Sequence, residues 1–94
     1  MPVPTTFEQF RGDALVQGCN VVLVREWPAE AVVAEHSHPF NARALVVKGE
    51  MWLRLDSGVE RHLRVGDTFE VGCHRRHSER YGPEGATLWA GRSN

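Results

Sequence analysis

From Gly18 onward the chain never runs much beyond ten residues without a glycine or a proline, at positions 28, 39, 49, 58, 66, 72 and 82. The pieces between are rich in β-branched and aromatic residues: "NVVLVREW", "AVVAEHSH", "ARALVVK", "EMWLRLD", "VERHLRV", "DTFEV", "HSERY" and "ATLWAGR". Runs this short cannot form long helices. Short strands at intervals of about ten residues, separated by turn residues, predict a β-sandwich or barrel. Gly49-Glu50, Asp56-Ser57-Gly58, Gly66-Asp67, Gly72 and the Gly82 to Gly85 segment are read as its turns. The clearest hairpin is "LRLDSGVERHLRV". Met51, Leu53 and Leu55 alternate with Trp52 and Arg54, and Val59, Leu63 and Val65 alternate with Glu60, His62 and Arg64.

One stretch departs from this pattern. Residues 5 to 18 carry Phe7, Phe10 and Leu15 at helical spacing, with Thr5 or Thr6 placed to cap and Gly18 to stop. The expectation is a short N-terminal helix followed by a β-barrel over residues 19 to 92, within one domain of 94 residues. No apolar run approaches the roughly 20 residues of a membrane span. The N-terminus lacks a basic and then apolar segment, so a cytoplasmic location is expected. A net charge of −1, and no helix-turn-helix pattern, argue against a nucleic-acid partner. Cys19 and Cys73 have neither metal-ligand spacing nor a framework of bridges, and both are read as free thiols, with Cys73 small and buried. Trp52, on the polar side of its hairpin, is expected at an interface.

The five histidines carry what chemistry the sequence offers. His36 and His38, in "EHSHPFN", lie two apart on a strand and so project to one face. That suits chelation of one ion, or a hydrogen-bonded pair near a turn. His62 shares the polar face of its hairpin with Glu60 and Arg64, and His74 falls in a turn. His77 shares parity with Glu79 and Tyr81, so an inward face would bring an imidazole, a carboxylate and a phenol into the barrel. Buried polar groups need partners. The three either bond one another or bind a ligand.

Two motifs resemble those of the cupin superfamily of small jelly-roll barrels. In "HSHPFNARALVVKGE" the paired histidines of the first motif are His36 and His38, and its closing glycine is Gly49. In "GDTFEVGCHRRHSERY" the second motif supplies Gly66, the Gly72-Cys73-His74 turn and His77, with Tyr81 where the family has asparagine. The resemblance covers residues from about 20 to 92. It departs where the family's glutamate ligand would stand, because that position is Ala42, and Asn41 has the opposite parity.

The resemblance implies an all-β, cupin-type jelly-roll barrel and a three-histidine metal site of His36, His38 and His77. The ion would be divalent: iron, manganese, nickel, copper or zinc. Three neutral imidazoles leave coordination positions open and the ion's charge undiminished, as in the superfamily's thiol and diketone dioxygenases. Such a site favours a small anionic, oxygenated or thiol substrate. Glu79 is then a ligand, an orienting base or a salt-bridge partner of Arg25 or Arg43, and Tyr81 is a substrate hydrogen-bond donor or a wall residue whose hydroxyl reaches solvent. Two classes stay open, a metal-dependent enzyme and a module that senses a small molecule, with a vestigial barrel that holds no metal as a third reading. A homodimer is expected, since so small a barrel leaves edges and apolar surface to cover.

Overall fold

A computed structural model describes residues 6–93. One helix, α1 (Phe7–Val16), precedes six strands: β1 (Val21–Trp27), β2 (Val32–His36), β3 (Asn41–Leu55), β4 (Glu60–Arg64), β5 (Thr68–Val71) and β6 (His77–Ser93). All pairings are antiparallel. None of the described helices is long and apolar enough to cross a membrane.

The helix starts and stops for local reasons. The Thr6 hydroxyl accepts the Gln9 N–H at 3.1 Å, satisfying one of the orphan donors of the first turn. Thr5, the other candidate cap, lies outside the described residues. At the far end Gly18 turns left-handed with φ of +99°. That conformation returns the Cys19 N–H to the Ala14 carbonyl at 2.9 Å and the Gly18 N–H to Leu15 at 3.1 Å, closing the last turn. Phe10 and Ala14 face inward and pack with Cys19 and Leu45 on the outside of the sheet. Leu15 does not join them and stands 42% exposed, because Ala14, not Leu15, continues the stripe from Phe7 and Phe10.

Two long strands organise the rest. The Gly49-Glu50 and Gly82 to Gly85 segments are not turns: β3 runs straight through the first and β6 through the second. Their mutual register shifts between Val46 and Lys48 and again between Gly49 and Met51. Gly49 and Gly85 take φ of +75° and +72°, and a Cβ on Gly49 would lie 2.1 Å from the Gly85 carbonyl oxygen. These glycines therefore bend the strands rather than end them. Each long strand thereby serves two half-sheets. The order β1-β6-β3-β5 uses residues 86–93 of β6 and 41–49 of β3. The order β2-β6-β3-β4 uses residues 77–81 of β6 and 50–55 of β3.

The faces turned toward each other bury Val46, Met51, Leu53, Leu63, Phe69 and Leu88 among others. The alternation expected of the hairpin holds at Met51, Leu53 and Leu63, all at most 1% exposed. It fails at Val59 and Val65, which are 54% and 62% exposed. Both lie just outside β4, where the pleat no longer sets side-chain direction. The result is the all-β jelly-roll barrel with a short N-terminal helix that the sequence predicts.

Candidate metal centre

Strand β2 delivers the first histidine through an irregularity. Val33 pairs with Glu79 and His36 with His77, so three steps on β2 oppose two on β6. This bulge keeps both Val33 and His36 on the interior face despite their odd spacing. His38 follows in the loop to β3, and its carbonyl accepts the His74 N–H at 2.8 Å, joining the two motif loops. His77 opens β6 at 3% exposure. Ring centroids are 4.3 Å apart for His36 and His77, 5.0 Å for His38 and His77, and 6.0 Å for His36 and His38.

Each imidazole is fixed by a backbone carbonyl two residues away. Nδ1 of His36 meets the Ala34 oxygen at 2.9 Å, Nδ1 of His77 the Arg75 oxygen at 2.9 Å, and Nδ1 of His38 the Phe40 oxygen at 3.1 Å. A carbonyl can only accept, so the proton of each neutral ring sits on Nδ1 and leaves the Nε2 lone pair free. This carbonyl support is what metal-binding histidines ordinarily have behind them. One ligand atom from each ring lies within 4.8 Å of the others. Burial lowers the His38 pKa below its ordinary range; the Phe40 carbonyl opposes this, and the nearby His77 and His36 reinforce it. Three neutral nitrogen donors of fixed tautomer fit a divalent transition-metal ion.

Glu79 and Tyr81 stand on the same face of β6. Oε2 of Glu79 is 3.7 Å from His77 Nε2 and 3.9 Å from His36 Nε2. Its other oxygen accepts the Tyr81 hydroxyl at 2.5 Å. Burial first, then the Glu79 charge, raises the phenol's pKa far above its usual value, so Tyr81 stays protonated and donates. The hydroxyl does not reach solvent, since Tyr81 is 3% exposed and stacked on Trp27 at 4.9 Å. Nor does Glu79 form a salt bridge with an arginine. Arg43 pairs with Glu70 at 3.0 Å and bonds Gln17, while Arg25 lies over Trp27 at 4.9 Å.

The other candidates are elsewhere. His62 stacks on Trp52 at 4.4 Å and faces Glu50 at 3.5 Å. His74 takes a left-handed turn conformation on the surface. Cys73 is exposed, correcting the expectation of a buried thiol, because it sits in the turn before β6 where strand parity lapses. Cys19 is the buried one. Asn41 turns its side-chain oxygen to the Cys73 N–H at 2.9 Å, and Ala42 lines the cavity without a donor atom. The cavity, about 770 Å³ including the part open to solvent, is also lined by Trp27, Phe40, Arg25 and Arg92. Sequence reasoning missed these four as site residues, although alternation along β1 and β6 puts Arg25 on the face of Trp27, and Arg92 on that of Leu88 and Ala90.

Comparison with solved structures gives matches along 77–78% of the chain. An RmlC-like cupin from Shewanella frigidimarina superposes with a TM-score of 0.69 at 29% identity, covering 78% of this chain and 64% of that one. This chain has a cupin fold. The structure of KdgF from Halomonas sp. matches at 0.66 and 23% identity, covering 78% and 67%. The DMSP lyase DddQ from Ruegeria pomeroyi matches at 0.72 and 19%, covering 78% and 37%. The cupin barrel described here thus spans a little under two-thirds of the Shewanella protein and little more than a third of the lyase. No protein-family model and no curated protein matches the sequence.

Proposed function

We propose that this cupin binds one divalent transition-metal ion through Nε2 of His36, His38 and His77 and acts as a metal-dependent enzyme on a small oxygenated molecule. The observation that carries the reading is the convergence of three imidazoles, each tautomer-fixed by its own carbonyl, on a cavity that also holds a phenol-bonded carboxylate. The ion would supply Lewis acidity toward an oxygen of the substrate. Glu79 takes a proton from the substrate at Oε2, the oxygen that Tyr81 leaves unbonded. Tyr81 holds the carboxylate in place and, remaining a neutral phenol, donates throughout. Trp27, Val33 and Leu88 keep the bonded pair in apolar surroundings. A carboxylate base beside the ion favours proton abstraction, as in a lyase or isomerase. The similarity to a protein described as a DMSP lyase agrees with this.

The missing carboxylate at Ala42 favours a second reading, a dioxygenase-like reaction at an ion that keeps its full charge. A third, a sensing module that holds a small ligand without turnover, uses the same pocket. Metal analysis of the chain purified without added metal, followed by reconstitution, tests the metal centre on which both enzyme readings rest. One ion per chain supports a metal centre, and none after reconstitution overturns it. Oxygen consumption with small diketones and thiols then separates the dioxygenase from the lyase. A homodimer is proposed as well, from the exposed Val24 and Val32 on the edge strands β1 and β2. Sedimentation as a monomer at micromolar concentration would overturn it.

A further inference from the structure

Two charged groups on the cavity wall are left unexplained by the histidines and by Glu79. Arg25 on β1 and Arg92 on β6 both line the cavity, and neither has an ion-pair or hydrogen-bond partner among the described residues. Unpaired arginines are ordinary on a surface; these two border the same space as the histidine triad. Glu79 is the sole acid among the described lining residues, and one of its two oxygens already accepts the Tyr81 hydroxyl. Arg43, the third lining arginine, is neutralised by Glu70. Two free cations therefore face one carboxylate, before any metal ion adds its own charge.

Both guanidiniums are held in position. Arg92 Cζ lies 4.8 Å from the Phe40 ring centre, and Phe40 stacks on His38 at 4.0 Å and 3°. Arg25 Cζ lies 4.9 Å from the Trp27 ring centre, and Trp27 stacks on Tyr81. One aromatic ring thus links each cation to the site, Arg92 to the histidines and Arg25 to the Glu79–Tyr81 pair. Resting on aromatic faces stabilises a guanidinium without using its N–H donors, which stay available for an anion.

We infer that the cavity takes a small organic acid, with a carboxylate received by Arg25 or Arg92 and another oxygen directed to the histidines. Only that last element rests on the metal-centre reading. In the β1–β6 register Arg92 pairs with Val21 and Arg25 with Leu88, which sets the two four residues apart along the strands, roughly 13 Å. One carboxylate therefore engages one of them. Phosphate fits less well. Proteins commonly hold it with backbone N–H groups at helix N-termini or glycine loops, whereas these walls are strand faces whose amides are used within the sheet.

The test is calorimetric titration of the full chain, metal-free and zinc-loaded, with succinate, glutarate, succinamide and inorganic phosphate. The acids are expected to bind at least ten-fold more tightly than the diamide. Arg25→Gln or Arg92→Gln is expected to weaken acid binding ten-fold or more, with zinc stoichiometry and melting temperature unchanged. Equal binding of acids and diamide, phosphate binding tighter than either acid, or no effect of either substitution would overturn the inference. Failure of the metal reading looks different: zinc does not bind, yet the acids still titrate in an arginine-dependent way. Zinc bound at one ion per chain with no acid binding would sink this inference alone.

Discussion

Tyr81 donates a 2.5 Å hydrogen bond to Oε1 of Glu79, and Oε2 of the same carboxylate faces His77 and His36 at 3.7 and 3.9 Å. A carboxylate whose side chain is 12% exposed depends on that donor. Removing the hydroxyl in Tyr81→Phe leaves one oxygen without a partner and should lower stability by about 1–3 kcal/mol. Urea unfolding of Tyr81→Phe, Glu79→Gln and the double variant measures this. The double variant should cost less than the sum of the singles, because the pair acts as a unit. Strict additivity would show that the bond contributes little.

Metal binding should separate the histidines into two classes. At a free-ion concentration 100 times Kd, binding stabilises the folded chain by about 2.7 kcal/mol. For a domain of this size that raises the melting temperature by roughly 10–20 °C. His62→Ala should keep the increase, since His62 lies on Trp52 outside the cavity. His77→Ala should lose both the increase and the stoichiometry. Glu79→Gln should keep one ion per chain if the carboxylate serves as base, and lose it if the carboxylate is a fourth ligand.

Much of this was legible before the structure, for a definable reason. Strand parity is local: it depends on a period of two, so His36 with His38, and His77 with Glu79 and Tyr81, are readable in pairs. What parity cannot carry is anything that crosses a bulge or a turn. Gly49 and Gly85 look like turn residues because a positive φ serves a bulge as well as a turn, and only their mutual contact shows which. Cys73, Val59 and Val65 were misplaced for the same reason, each lying just past a strand end. The Tyr81–Glu79 bond could be guessed from shared parity. The partners of Arg43, by contrast, are Gln17, which caps the C-terminus of α1, and Glu70 on β5, both distant in sequence.

Acidification should destabilise the metal-free protein in one direction. The His38 pKa is held below the ordinary histidine value of about 6.5, chiefly by burial. The unfolded chain therefore takes up this proton before the folded chain does. Stability is unaffected above about pH 6.5, falls as the pH drops from there toward the folded pKa, and levels off below it. Urea midpoints of metal-free protein between pH 8 and 5 should follow this course, and His38→Gln should flatten it. A profile that rises on acidification would contradict the sign.

The bend shared by the two long strands should tolerate no side chain. In Gly49→Ala the new Cβ would stand 2.1 Å from the Gly85 carbonyl oxygen and 2.9 Å from the Ala86 Cα, both backbone atoms, at φ of +75°. Left-handed backbone alone costs roughly 1–2 kcal/mol for an L-residue. The clash adds the displacement of a whole strand, against a total stability of about 5–15 kcal/mol for an ordinary domain. Gly58 supplies the control, with φ of +88° and nothing within 4 Å of its Cβ position. Gly58→Ala should therefore fold and lose only the backbone term, while Gly49→Ala should fail to give a cooperative thermal transition. Similar melting temperatures for the two would mean that β3 and β6 can part at the bend, and that the two half-sheets are not held in their mutual position by this contact.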